Sequence, residues 1–435
     1  MSALEDALKV KELVKQHTEW FRDSLPMIAS ENLISPMAME LLISDLHNRY
    51  AEGLPGKRYY QGNIYVDQIE EITTELAKKL FNVEYADVRP ISGTNANQAV
   101  LFALTKPGDV ITGPPLQGGA HISSAPFGAV GMRGLHKIEY PFDVEEMNID
   151  VDLTAKLIKI VKPKLALFGM SVFLFPAPLK ELQDAFQESG TIVWYDGAHV
   201  LGLIAGGEFQ DPLREGAHVM SGSTHKTLPG PQRGLIVANP PGDEEKRAKF
   251  WKKIQRGVFP GVISNHHLHH MAALAVSLAE HIEFGKQYAQ QIVKNAKALA
   301  QELYELGFKV LGEKNGFTKS HTILVDVVAQ GGGRRVAEDL EKANIICNYN
   351  LLPYDDPKKP RNPSGIRLGV QELTRLGMKE SEMKEVANFI KRVAMDKEDP
   401  AKVKEDVKEF KKEFNKIHYC FNEGAEAYKF FENLF

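Results

Sequence analysis

Lys226 lies in the run Ser221-Gly-Ser-Thr-His-Lys-Thr-Leu-Pro-Gly-Pro-Gln-Arg-Gly234, where small hydroxyl residues give way to a glycine- and proline-rich loop. A surface lysine keeps its charge hydrated. One that is desolvated, or near other cations, loses its proton more readily and can form a Schiff base with a carbonyl. Its neighbours Ser223, Thr224, His225 and Thr227 are suited to orienting a ligand or a proton. Upstream, Asp196 opens Asp-Gly-Ala-His199, and Ser92-Gly-Thr-Asn-Ala-Asn97 is a small-residue turn leading into a helical stretch. Such a turn exposes backbone N–H groups at a positive helix end and can cradle a phosphate. A plain N-cap by Ser92 or Thr94 reads the same residues equally well.

These groups need a scaffold. Apolar runs at Val110–Thr112, Leu165–Phe168, Thr191–Tyr195, Val219–Met220 and Leu235–Ala238, separated by helical stretches, predict a parallel or mixed sheet covered on both faces. Ligands of such sheets collect beyond the carboxyl ends of the strands, where Ser171, Asp196, His199 and Lys226 fall. Helical patterns are expected at the N-terminus, over Met37–Arg49, Asp67–Phe81 and Asn95–Thr105, and over a long stretch from Met271 to about Leu306. Strands at Phe308–Leu311, Thr322–Val327, Ile345–Cys347 and Ile366–Leu368, with helices over Val336–Ala343 and most of Glu380–Phe414, predict an α+β C-terminal domain. The expected division is an N-terminal helical arm over residues 1–30, a large domain over 31–285 and a smaller one over 286–435. Tyr50-Ala-Glu-Gly-Leu-Pro-Gly-Lys-Arg-Tyr-Tyr-Gln-Gly62 reads as a loop whose aromatic and charged groups suit a ligand-facing or subunit-facing role.

Bulk composition narrows the classes. With 435 residues, 43% hydrophobic, 25% charged and a net charge of −4, this is the chemistry of an ordinary globular protein, without the basic footprint of a nucleic-acid or membrane-surface binder. Two cysteines, Cys347 and Cys420, and an N-terminus without a signal-peptide core point to a cytoplasmic protein. No G-x-G-x-x-G follows a strand, and no P-loop signature is present. His266, His267, His269 and His270 lack a nearby acidic or cysteine ligand in sequence; they read as helix-start and interface residues, and no metal is assigned.

A lysine, an aspartate, a candidate phosphate cradle and scattered histidines at strand ends fit pyridoxal phosphate. That cofactor needs an amine, a carboxylate that keeps its pyridine nitrogen protonated, and phosphate anchors. The reading is an α/β enzyme of aspartate aminotransferase architecture.

From about residue 25 to 395 the chain resembles the serine hydroxymethyltransferase family: Ile28-Ala-Ser-Glu-Asn, Tyr50-Ala-Glu-Gly-Leu-Pro-Gly-Lys-Arg-Tyr-Tyr60, Asp196-Gly-Ala-His199, Ser223-Thr-His-Lys-Thr-Leu228 and Ser364-Gly-Ile-Arg367 carry the likeness. The resemblance implies a fold type I enzyme, with a large domain built on a mostly parallel seven-stranded sheet and a smaller α+β domain. It implies a homodimer with shared active sites that interconverts serine and glycine and passes a one-carbon unit to a reduced pterin. By the same likeness Lys226 is the cofactor-linked lysine with His225 beside it, Asp196 pairs with the pyridinium nitrogen, and His121 stacks on the ring. Ser171 and His199 lie near the ring hydroxyl, and Ser92, Gly93, Thr94 and Ser223 belong to the phosphate side. Arg367, helped by Ser30, grips the substrate carboxylate. Tyr50, Glu52, Tyr60 and Gly261 come from the second subunit, with Glu52 handling the proton of the serine hydroxyl or of the pterin; Asn350 is the pterin contact.

Departures surround these residues but leave the cofactor machinery intact: Pro229-Gly-Pro-Gln-Arg-Gly234, Gly119-Ala-His-Ile-Ser-Ser124, Leu54, Val172-Phe-Leu-Phe-Pro176 and Ser264-Asn-His-His267. They resemble the archaeal branch and leave the acceptor open between tetrahydrofolate and a modified pterin such as tetrahydromethanopterin. A pterin-independent aldolase for threonine or allo-threonine would need the same residues without the pterin. A non-catalytic binding protein on this scaffold would be expected to lack Lys226, Asp196 or Arg367, and all three are present.

Overall fold

The structure, a computed structural model, describes residues 2–358 and 361–431. Met1, Lys359, Pro360 and residues 432–435, which fall in the first and last of the expected domains, lie outside it.

Seven strands form the main sheet: β1 (Tyr85–Asp87), β2 (Val110–Gly113), β3 (His136–Glu139), β4 (Leu165–Phe168), β5 (Ile192–Asp196), β6 (Val219–Ser223) and β7 (Gly234–Ala238). Their spatial order is β1-β7-β6-β5-β4-β2-β3, and only β7 runs against the others. Strict alternation buries both faces. Leu165, Leu167, Trp194 and Val219 pack toward helix α3 (Gly93–Leu104), whereas Ala166, Phe168, Val193, Tyr195 and Met220 pack toward the long helix α4 (Leu268–Glu305). Continuous apolar strands are the consequence, and they are what made this sheet readable.

Helix α1 (Ala3–Arg22) begins at a capping box between Ser2 and Glu5 and carries no buried residue. Helix α2 (Ile64–Phe81) packs on α4, which at 38 residues spans about 57 Å. Four further strands, β8 (Lys309–Val310), β9 (Thr322–Asp326), β10 (Asn348–Asn350) and β11 (Gly365–Gly369), pair in the order β8-β9-β11-β10. Helices α5 (Gly333–Lys342), α6 (Glu380–Ala394) and α7 (Pro400–Lys411) pack beside them.

Three local expectations are corrected. The helix expected over Met37–Arg49 ends at Leu42, and a separate short turn covers Asp45–Asn48; the Ser44 hydroxyl donates to the Leu41 carbonyl and competes with continued helix. The strand expected at Ile345–Cys347 is confined to Ile345–Ile346 and pairs with Leu25–Pro26, so the chain just after α1 is stitched to the C-terminal half. Strand β3 was not anticipated, because His-Lys-Ile-Glu on the half-exposed sheet edge carries no apolar run.

Candidate active site

The carboxyl ends of β4, β5 and β6 and the first turn of α3 enclose a cavity of about 190 Å3. It is lined by Ser92, Gly93, Thr94, Asn97, His121, Met170, Ser171, Asp196, Ala198, His199, Ser223, His225 and Lys226. Ten of the residues singled out in sequence thus meet in one place. A larger open groove of about 780 Å3, which includes Asp143, Glu146, Asp150 and Glu181, holds none of them.

Lys226 follows β6 in a closed loop. Thr224 donates its hydroxyl to the Pro231 carbonyl at 2.7 Å, and Gly230 N–H returns to the Thr224 carbonyl at 2.9 Å. Thr227 donates to the His199 carbonyl and accepts from Gly202 N–H, which docks the loop on the chain after β5. The lysine is 8% exposed. Burial lowers its pKa to about 8; Asp196 pulls the other way, and the Arg367 guanidinium adds to the depression. Near neutrality a usable share of the side chain is therefore a free amine.

Asp196 accepts from Asn97 Nδ2 at 2.7 Å and from Ala198 N–H at 3.0 Å. His121 is held by Ser123, with its Nδ1 2.7 Å from the Ser123 hydroxyl and within reach of the Ser123 N–H. The histidines of the site are driven toward the neutral form. Burial brings His225 down to about 4, with help from Lys226. It depresses His199 strongly and His121 as well. His321, stacked 5.7 Å from His199 behind the cavity, is lowered to about 3.

Arg367 projects from β11. It donates from Nε to Asn348 Oδ1 and from Nη1 to the Ser171 carbonyl, both at 3.0 Å. Burial lowers its pKa to about 10, which leaves it cationic at neutral pH. Ser30 lies in the turn closed by Glu31 N–H and the Ile28 carbonyl, on the segment that crosses the end of β11, where Gly369 N–H bonds the Met27 carbonyl and an added Cβ at Gly369 would come 2.5 Å from Ala29 Cα.

The residues present fit pyridoxal phosphate. The Ser92 hydroxyl caps Asn95 N–H, and the helix turn it opens lines the cavity. A Cβ on Gly93 would sit 2.1 Å from the Ser223 hydroxyl, so any larger residue would force that hydroxyl to swing away. Among the described residues, the buried Nδ1 atoms of His199 and His225 have no hydrogen-bond partner. These are unspent polar groups facing a cavity that also presents an amine and a carboxylate.

Against that geometry, a family model described as "Serine hydroxymethyltransferase" matches residues 4–390. The chain belongs to the serine hydroxymethyltransferase family. It is 60% identical over 418 residues to the serine hydroxymethyltransferase of Picrophilus torridus, covering 96% of this chain and 95% of that one. It is 58% identical over 428 residues to that of Thermoplasma volcanium, covering 98% and 99%. The Pyrococcus furiosus serine hydroxymethyltransferase is 54% identical over 418 residues, covering 96% and 97%. Fold type I architecture and dependence on pyridoxal phosphate and a folate-type pterin go with this family.

Five of the singled-out residues stand apart from the Lys226 cavity of this chain. Tyr50 and Tyr60 are exposed, with rings 5.5 Å apart, and Glu52 lies between them in sequence on the same outer loop. Gly261 packs against Phe102 of α3. Asn350 lies opposite Gly365 at the edge of the small sheet, its amide donating to the Leu351 carbonyl.

The structure adds Asn97, Asn348 and His321 to the site. Asn97 was within the quoted turn and carried a signal; the other two had none, because only the tertiary fold sets them against Arg367 and His199. Among the histidines outside the cavity, His266 has an acidic neighbour after all: its Nε2 lies 3.2 Å from Glu70, which comes from α2, far away in sequence. Among the described residues no helix is long and apolar enough to cross a membrane.

Proposed function

We propose that this protein interconverts serine and glycine, passing the one-carbon unit to a reduced pterin, and that it does so in the cytoplasm as a homodimer with shared active sites. The observation that carries the reading is the meeting of Lys226 and Asp196 in one cavity, with Arg367 bonded to the carbonyl of Ser171 in its wall. When bound, pyridoxal phosphate supplies the electron sink that stabilises charge at the serine Cα as the Cα–Cβ bond breaks.

The chain's own residues do the rest. Lys226, its pKa lowered to about 8 by burial, would offer the amine that holds the cofactor. Asp196 would accept from the ring nitrogen, and the first turn of α3 with Ser223 would hold the phosphate. His121 would cover one face of the ring, while His199 and Ser171 would face its hydroxyl. Arg367 pairs with the substrate carboxylate as a planar fork, with Ser30 beside it.

Glu52, Tyr50, Tyr60 and Gly261 reach the partner's cavity, with Glu52 taking the proton of the serine hydroxyl as the one-carbon fragment leaves. That none of them lines the Lys226 cavity of their own chain supports that assignment. So does the exposed apolar surface around the tyrosine loop, where Tyr59, Ile64 and Tyr65 lie bare. Asn350 is assigned to the pterin, either tetrahydrofolate or tetrahydromethanopterin.

Turnover of serine and of allo-threonine, each with no pterin, tetrahydrofolate or tetrahydromethanopterin, tests the proposal. Serine cleavage accelerated by one of the two pterins is expected. If serine cleavage gains nothing from either, the pterin-independent aldolase reading replaces it.

A further inference from the structure

The two oxygens of Asp196 have different donors, and the donor to one of them is the end of a buried chain. Trp194 Nε1–H donates to Ser221 Oγ at 2.8 Å, the Ser221 hydroxyl donates to Asn97 Oδ1 at 2.7 Å, and Asn97 Nδ2 donates to Asp196 Oδ2 at 2.7 Å. Strand pairing places the members side by side. Trp194 and Asp196 share one face of β5, and Ser221 on β6 stands directly opposite Asp196. Trp194 is 1% exposed and Ser221 fully buried, so water does not compete for these groups.

The polarity of the chain follows from its first member. An indole N–H donates and never accepts. Ser221 Oγ must therefore accept from Trp194, which aims its own proton at Asn97. Asn97 then has to turn its carbonyl to Ser221 and its NH2 to Asp196. With the amide reversed, two acceptors would face each other at 2.7 Å in a dry site. Both oxygens of Asp196 thus face N–H donors, Oδ2 that of Asn97 and Oδ1 that of Ala198.

We propose that Trp194, acting through Ser221 and Asn97, is a positioning residue that holds Asp196 as a fixed acceptor for the ring nitrogen of pyridoxal phosphate. This rests on the reading that Asp196 pairs with that nitrogen. Trp194 touches neither cofactor nor substrate; its role is to set the direction of the hydrogen bonds behind the carboxylate.

Equilibrium binding of two cofactors to the full-length apoprotein tests it: pyridoxal phosphate, and its deaza analogue in which the ring nitrogen is replaced by C–H. For Trp194→Phe and Ser221→Ala, the Kd for pyridoxal phosphate is expected to rise about tenfold, while that for the analogue stays within about twofold. Melting of each apoprotein checks the fold, and if Trp194→Phe does not fold, Ser221→Ala decides alone. Equal weakening toward both cofactors would mean a merely structural role and overturn the proposal, as would unchanged affinity for both. An unsubstituted protein that binds the two cofactors equally would remove the pairing of Asp196 with the ring nitrogen, and the relay with it.

Discussion

The side-chain amide of Asn32 donates to the main-chain carbonyl of Lys226 at 2.6 Å and also reaches the Tyr288 hydroxyl at 2.9 Å. One residue of the N-terminal extended segment therefore pins the lysine loop to α4. The same segment is held to the start of the helix after β11 by Gln371, whose amide donates to the Ile28 and Glu31 carbonyls. Residues 28–32 are in this way a strap between the lysine and the strand of Arg367.

Asn32→Ala leaves the buried Lys226 carbonyl without its donor. The expected cost is about 1–3 kcal/mol of stability, read from urea unfolding. A rise in the apparent Kd for pyridoxal phosphate should accompany it, since the loop loses its anchor. Unchanged stability and affinity would show the strap to be passive.

Capture of pyridoxal phosphate by the apoprotein needs the free amine of Lys226, whose pKa is lowered to about 8 by burial, with Arg367 adding to it. The capture rate should rise with pH through about 8. In Arg367→Leu one lowering influence is gone, so the inflection should move to higher pH. An inflection for the unsubstituted protein near the ordinary lysine value of 10.5 would contradict the burial seen for Lys226.

The tyrosine loop is anchored by Arg58, which donates to Asp67 at 2.8 Å, to Glu70 at 2.6 Å and to the Ala51 and Gly53 carbonyls. Burial pushes the Glu70 carboxyl up, but His266 and Arg58 outweigh it and bring its pKa to about 2. A carboxyl whose folded pKa lies below its unfolded value stabilises the protein above the unfolded pKa of about 4.5 and loses that contribution as pH falls toward 2. Glu70→Ala should cost about 3–5 kcal/mol at pH 7. The deficit, measured by urea unfolding at several pH values, should shrink below pH 4.5. A deficit independent of pH would assign Glu70 a packing role instead.

Shared sites make a distinctive prediction. Glu52→Gln and Lys226→Ala chains, each nearly inactive alone, should regain activity when refolded together. A mixed dimer then holds one site with both Lys226 and the partner loop intact, and random pairing yields about a quarter of the parental activity at most. Mixing without recovery would place Glu52 and Lys226 in the same chain's site.

Much of this was legible from the chain alone. Lys226, Asp196, Ser171 and His199 stand at strand ends whose apolar runs are continuous because both sheet faces are buried, so pattern and chemistry pointed the same way. Edge strand β3 escaped because half its residues meet solvent, and the break at Ile43 escaped because a serine hydroxyl, rather than an apolar residue, ends that helix. Asn348 and His321 come from the C-terminal half. Their partners Arg367 and His199 are set by sheet register and by packing between halves, which single-residue types do not encode. The orientation of Asn97 depends on Trp194, a residue whose apolar bulk concealed its role as a donor.

The central claim is that Lys226 supplies the amine on which cofactor chemistry and serine cleavage depend. Purified protein and its Lys226→Ala variant, both supplied with pyridoxal phosphate, test it through the visible absorbance recorded before serine and a reduced pterin are added, and through glycine formation afterwards. The unsubstituted protein should show the visible band of lysine-bound cofactor and form glycine, while Lys226→Ala should lack the band and fall by at least about a thousandfold in turnover. Full turnover by Lys226→Ala, or no visible band in the unsubstituted protein, would contradict the account.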